Sequence, residues 1–138
     1  MKLTGNSASL SQDEISDVEK SYEVKLPESF INFYLKANGG SPSKRYFEEY
    51  RIAAFLPVKY GEGNNVESTI EILKLADRLP DGFIPFAFDS GGWYFAVDTN
   101  KTKYGSIYIL PNGMLESDPI FIVASFSEFI EGLRKEEY

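Results

Sequence analysis

Apolar residues return along this chain at two different periods. From residue 10 to 37, from 66 to 76 and from 126 to 133 they recur every three or four positions, the spacing of one helix face; from 83 to 124 they gather in short runs bounded by glycine, proline and aspartate, as strands do. The first helix starts at SQDE, residues 11–14, where Ser11 and Glu14 form a capping box and Leu10 and Ile15 are spaced as a hydrophobic staple. Its inward stripe is Ile15, Val18 and Tyr22. The second opens on LPESF with Pro27 at the first helical position, buries Phe30, Phe33, Tyr34 and Ala37, and closes at Asn38-Gly39-Gly40, where Asn38 or Gly39 takes the left-handed conformation.

Residues 41–49 read as a loop and YRIAAFLPV, residues 50–58, as a strand. The following KYGEGNN matches neither glycine-rich phosphate motif and is read as the entry to a helix capped near Asn64, with Val66, Ile70, Leu73 and Ala76 inward and an end before Pro80. Four strands come next, FIPFAF, WYFAVD, GSIYIL and IFIVA, separated by turn residues at hairpin spacing. A second capping box, Ser125 to Glu128, starts a last helix carrying Phe126, Phe129, Ile130 and Leu133 on one face. This order, without repeating βαβ units, predicts an α+β fold: helices packed on one face of a mainly antiparallel sheet, with residues 1–138 as a single domain.

The hairpin FAFDSGGWYFAVD, residues 86–98, is the one place where chemistry suggests itself. A two-residue turn at Gly91-Gly92 would put Phe86, Phe88, Phe95 and Val97 on the core face, and Asp89, Tyr94, Ala96 and Asp98 opposite. The two carboxylates then lie roughly 13 Å apart at about 3.3 Å per residue, beyond the roughly 5 to 9.5 Å of a glycosidase pair. Asp89 is better read as a turn residue whose carboxylate accepts backbone N–H groups.

Composition then removes whole classes of function. With no cysteine and no histidine, the chain has no disulfide, no thiolate or imidazole metal site, and no histidine-dependent triad or dyad; no cofactor is expected. It has 21 acidic and 14 basic residues, a net charge of -7, and its basic pair Lys44-Arg45 is followed at once by Glu48 and Glu49, so nucleic acid is not expected as a direct partner. The acidity serves either solubility or an acidic face for a basic protein. The N-terminus lacks the apolar core of a signal peptide and no apolar run reaches membrane-spanning length, which predicts a cytoplasmic protein with no membrane partner.

Two stretches carry a family resemblance. LPESFINFYLKANGG at 26–40 and IPFAFDSGGWYFAVD at 84–98 resemble the SUKH superfamily, in the branch related to the yeast cell-wall synthesis regulators, through Leu26, Pro27, Asn38, Gly39, Gly40, Phe86, Asp89, Gly92 and Asp98. The resemblance implies an α+β domain and, for small bacterial members, a non-enzymatic immunity protein that binds and occludes a cognate toxin, often a nuclease or deaminase. The motif residues would hold the scaffold. Partner contacts would come from loops and from the face opposite the core, and the candidates are Tyr46, Tyr50, Tyr60, Glu62, Tyr94 and Tyr104, meeting a basic cleft on the toxin. Two other classes stay open: a small-molecule or enzymatic domain using residues 61–65, and a regulatory scaffold for an endogenous partner.

Overall fold

In a computed structural model describing residues 1–61, 63–111 and 118–135, the chain runs β1 (Leu3–Thr4), α1 (Gln12–Tyr22), α2 (Glu28–Lys36), β2 (Ser41–Pro42), β3 (Tyr46–Phe47), β4 (Tyr50–Arg51), β5 (Ala54–Phe55), α3 (Val66–Leu75), β6 (Phe83–Phe88), β7 (Tyr94–Asp98), a 3-10 turn (Lys101–Lys103), β8 (Ile107–Leu110), β9 (Ile120–Val123) and α4 (Phe126–Glu131). Strands β5 to β9 form an antiparallel sheet in sequence order, and β1-β2 and β3-β4 are separate two-stranded pairs. The fold is α+β, as the order of elements predicts.

The helices follow their local chemistry. In α1 the Ser11 hydroxyl accepts the Glu14 amide and the Glu14 carboxylate accepts the Ser11 amide, so both halves of the capping box are present. Ile15 and Val18 are buried and Tyr22 is half-buried. Pro27 lies one residue outside α2 rather than at its first helical position: its ψ of 147° is extended, and its carbonyl accepts the Ile31 amide as an N-cap carbonyl does. At the other end the second of the two expected alternatives holds. Ala37 ends α2 in an extended conformation and Asn38 is not left-handed; Gly39 and Gly40, at φ +79° and +120°, carry the reversal.

The predicted strand over 50–58 is broken. Tyr50–Arg51 pairs with Tyr46–Phe47, inside the stretch read as a loop, whereas Ala54–Phe55 pairs with β6. At the changeover the Arg45 guanidinium donates to the carbonyls of Ile52 at 3.4 Å and Ala53 at 2.9 Å, which satisfies backbone groups left without a continuous ladder. α3 is capped by Asn65, next to the expected position, and the Asn65 side chain pairs with Ser68 in a reciprocal box. It ends one residue before Ala76, which is exposed, not inward. In α4 the Ser125 hydroxyl accepts the Glu128 amide, but the Glu128 carboxylate takes the Ser125 hydroxyl instead of its amide; buried Leu133 lies just past the helix end.

The β6-β7 hairpin differs most from expectation. Phe88 pairs with Tyr94, so residues 89–93 form a five-residue loop and not a two-glycine turn. The Asp89 carboxylate builds it by accepting the amides of Gly91 and Trp93, each at 2.9 Å, and only Gly92 of the glycine pair has positive φ. A register shift between Pro85 and Ala87 then reverses Phe88 relative to Phe86: paired with Tyr94, it is half-buried and packs against the margin of the main core instead of inside it. Proline has no amide for the ladder, and the shift sits beside it.

Phe86, fully buried, becomes the middle of the main core. Its ring packs edge-on against Phe30, Phe126 and Phe129 at 5.8, 5.3 and 5.7 Å. Buried Tyr34 donates to the carbonyls of Leu56 and Phe86 at 2.8 and 3.1 Å, tying α2 to the sheet. A second, smaller cluster joins Leu73, Phe83, Ala96 and Leu110. Thus α3 lies along the edge of β6 that β5 leaves unpaired, with Val66 and Ile70 in the main core and Leu73 in the second cluster.

Candidate protein-binding surface

The motif residues are held by the fold itself. Asn38, 2% exposed, donates to the carbonyls of Ala8 and Val58 at 2.9 and 3.0 Å and accepts the Val58 amide at 2.7 Å. A Cβ on Gly39 would stand 2.8 Å from the Pro57 nitrogen, and one on Gly40 2.6 Å from the Thr4 carbonyl oxygen, so the backbone crossing tolerates no side chain at either position. The amide of buried Leu26 donates to the Glu19 carboxylate at 2.7 Å. Asp98, also buried, accepts the amide and side-chain N–H of Asn100, whose side chain also donates to the Asp81 carbonyl. Asp89 lies in the loop before β7 and Asp98 at its far end, each bonded to its own turn. Among the described residues, no group of three acidic side chains is arranged to hold a metal.

The structure disperses the candidate tyrosines. Tyr46 and Tyr50 share the β3-β4 hairpin, both half-buried; burial first, then Glu49 and Glu48, raises the Tyr50 hydroxyl's pKa. Tyr60 packs against the main core, and its hydroxyl donates to the Glu14 carboxylate. Glu14 also binds the Lys59 ammonium at 2.8 Å; Lys59, Tyr60 and the Ser11 amide together hold its pKa down to about 2. Tyr94 is half-buried on the sheet face opposite Phe95. Tyr104, 44% exposed, donates to the Lys25 carbonyl at 2.8 Å. Glu62 lies outside the described residues. The 61–65 loop borders a cleft of about 270 Å³ through Gly61 and Asn64, with Thr4, Ser7 and Gly40 on its other wall.

What the hydrophobic pattern concealed is the outward side of α3. Ile72 is 57% exposed and Leu75 90%. Once Val66, Ile70 and Leu73 are assigned inward, these two apolar residues at i, i+3 spacing are left over, and that surplus is the sequence signal. Four carboxylates accompany them, half-buried Glu67 and exposed Glu71, Asp77 and Asp81. Glu67 accepts the Lys59 amide at 3.0 Å, and two cations lie nearby with their charge retained: the Lys74 ammonium 5.8 Å from the Tyr22 ring centre, and Arg78, which donates to the Pro111 carbonyl at 3.0 Å. Burial, then Glu67 and Glu71, raises the Tyr22 hydroxyl's pKa, a sign of the negative field here. Next to α3 a cleft of about 400 Å³ runs between the end of α1 and the start of β6, lined by Tyr22, Lys25, Lys74, Leu79, Asp81 and Asn100 among others.

These features define a small α+β domain on a five-stranded antiparallel sheet, with the polar groups of its sequence motifs committed to its own loops. The chain belongs to the SMI1/KNR4 family (SUKH-1), whose family profile matches residues 9–132. This confirms the resemblance read from the two motif stretches. The chain is also 30% identical over 100 residues to the uncharacterized protein YnaB of Bacillus subtilis strain 168; the match takes in 72% of this chain but 58% of that protein, less than two thirds of its length. No helix among the described residues is long and apolar enough to cross a membrane.

Proposed function

We propose that this chain acts as a single SUKH-like domain, a non-enzymatic immunity protein of the bacterial cytoplasm that binds a cognate protein toxin and occludes its working cleft. Membership of the SUKH-1 family is the observation that carries this reading. The net charge of -7 supports it: a toxin that acts on nucleic acid needs a cleft that attracts a polyanion, and an acidic inhibitor complements that cleft. The internal bonding of Asn38, Asp89 and Asp98 supports a scaffold role for the motif. Contact roles for Tyr46, Tyr50, Tyr94 and Tyr104 belong to this proposal, whereas Tyr60 is tied to Glu14.

The test is to co-express the chain with the toxin encoded beside its gene, score survival, and measure binding of the purified pair. Rescue with direct binding is expected; no rescue and no binding would sink the immunity reading. The cleft of about 400 Å³ favours a second reading, a small-molecule site, since ligand pockets commonly reach about 300 Å³ and above; the cleft of about 270 Å³ beside Gly61 and Asn64 falls just short of that size. A rise in melting temperature with nucleotides or other metabolites, without toxin binding, would support that alternative.

A further inference from the structure

We infer that the toxin docks on the outward side of α3, with Leu75 and Ile72 as the buried anchors and Glu67, Glu71, Asp77 and Asp81 as an acidic border. This rests on the immunity reading and names the surface that performs it. At about 100° of rotation per residue, Leu75 and Ile72 lie about 160° and 100° round the helix from Leu73, the buried pole of α3. Their exposure, 90% and 57%, contrasts with 0% for Leu73 and Ile70 on the inward side. A helix apolar on two sides has a second surface to cover.

The helix is also rigid enough to present that surface. Asn65 and Ser68 cap its first turn, the Val66 amide donates to the Pro57 carbonyl, and Leu73 locks into the second cluster. A partner meeting α3 therefore pays little ordering entropy on this side. The 400 Å³ cleft, which α3 lines through Ile70 and Lys74, offers a recess for a partner side chain along the same helix. Tyr104 adjoins it through its bond to the carbonyl of Lys25, one of the cleft's lining residues.

Charge selects the occupant. A second copy would bring a surface whose four carboxylates outnumber its cations Lys74 and Arg78 against itself, on a molecule of net charge -7. A cationic protein with an apolar recess is complementary on both counts.

The experiment uses the purified protein encoded beside this gene, inactivated for handling, against wild type, Leu75→Asp, Ile72→Asp and, on the outer sheet face, Phe121→Asp. All three positions are at least half exposed, so unchanged denaturation midpoints are the folding control. Leu75→Asp and Ile72→Asp should each weaken binding at least tenfold and abolish rescue, with Phe121→Asp within about twofold of wild type. Folded Leu75→Asp and Ile72→Asp proteins that bind as tightly as wild type would overturn the α3 surface while leaving immunity intact. Failure of wild type itself to bind would remove the immunity reading and this surface with it. A dimer in sedimentation that Leu75→Asp dissociates would reassign the face to self-association.

Discussion

Asn38 is a single side chain that fastens the N-terminal segment, the end of α2 and the chain after β5 to one another. Asn38→Ala removes the acceptor of the buried Val58 amide, while the Val58 carbonyl keeps the Tyr60 amide, and should lower stability by about 2 kcal/mol in urea denaturation; a midpoint equal to wild type would remove this bonding role. Glu14 makes a prediction in pH. Its folded pKa of about 2 lies below the ordinary 4.5, so ionisation favours the folded state, with the full contribution above 4.5 and its loss as pH falls toward 2. An NMR titration of the Glu14 carboxyl should therefore show a midpoint near 2, and Glu14→Gln should flatten the acid limb of stability between those values. A midpoint at the ordinary carboxylate value would mean that Lys59 and Tyr60 do not hold it in solution.

For the elements, the decisive feature is the register shift in β6. It turns Phe86 into the main core among four helix and sheet rings and leaves Phe88 half-buried beside Tyr94. Phe86→Ala should cost about 3–5 kcal/mol, and Phe88→Ala distinctly less. Denaturation midpoints in the opposite order would refute the register, and with it the five-residue loop that Asp89 organises.

Across the whole molecule, in the proposed complex the charge of -7 would act on encounter and the α3 anchors on residence. Raising ionic strength from about 0.1 to 1 M shortens the screening length from about 10 to 3 Å, so the association rate with a basic toxin should fall sharply and the dissociation rate much less. Stopped-flow or surface-binding kinetics across that salt range measures both. Salt-independent association would sink electrostatic steering and leave the apolar face of α3 as the main source of affinity.

Most elements were legible locally, because a capping box, a 3.6-residue period or a glycine-bounded apolar run acts over a few neighbouring residues. Ser11 and Glu14, the stripe Val66-Ile70-Leu73 and all four strands of the meander are set at that range. The motif residues were visible too, and with them the family, since Asn38, the glycine pair and the two aspartates answer to backbone geometry written in the sequence. The proposed binding surface was not. Whether Phe88 or Phe86 faces the core depends on a register shift that pairing with β7 settles, and the break after Arg51 depends on Arg45 reaching the carbonyls of Ile52 and Ala53. Tyr60 reads as a free loop tyrosine until Glu14, 46 positions away, binds its hydroxyl. Ile72 and Leu75 have the same composition and period as core residues, and only the placement of α3 along the edge of β6 decides that Leu73 is covered and they are not. Local chemistry determined the elements; which side of each meets protein and which meets water was decided by long-range packing, because burial belongs to the assembled structure and to no residue alone.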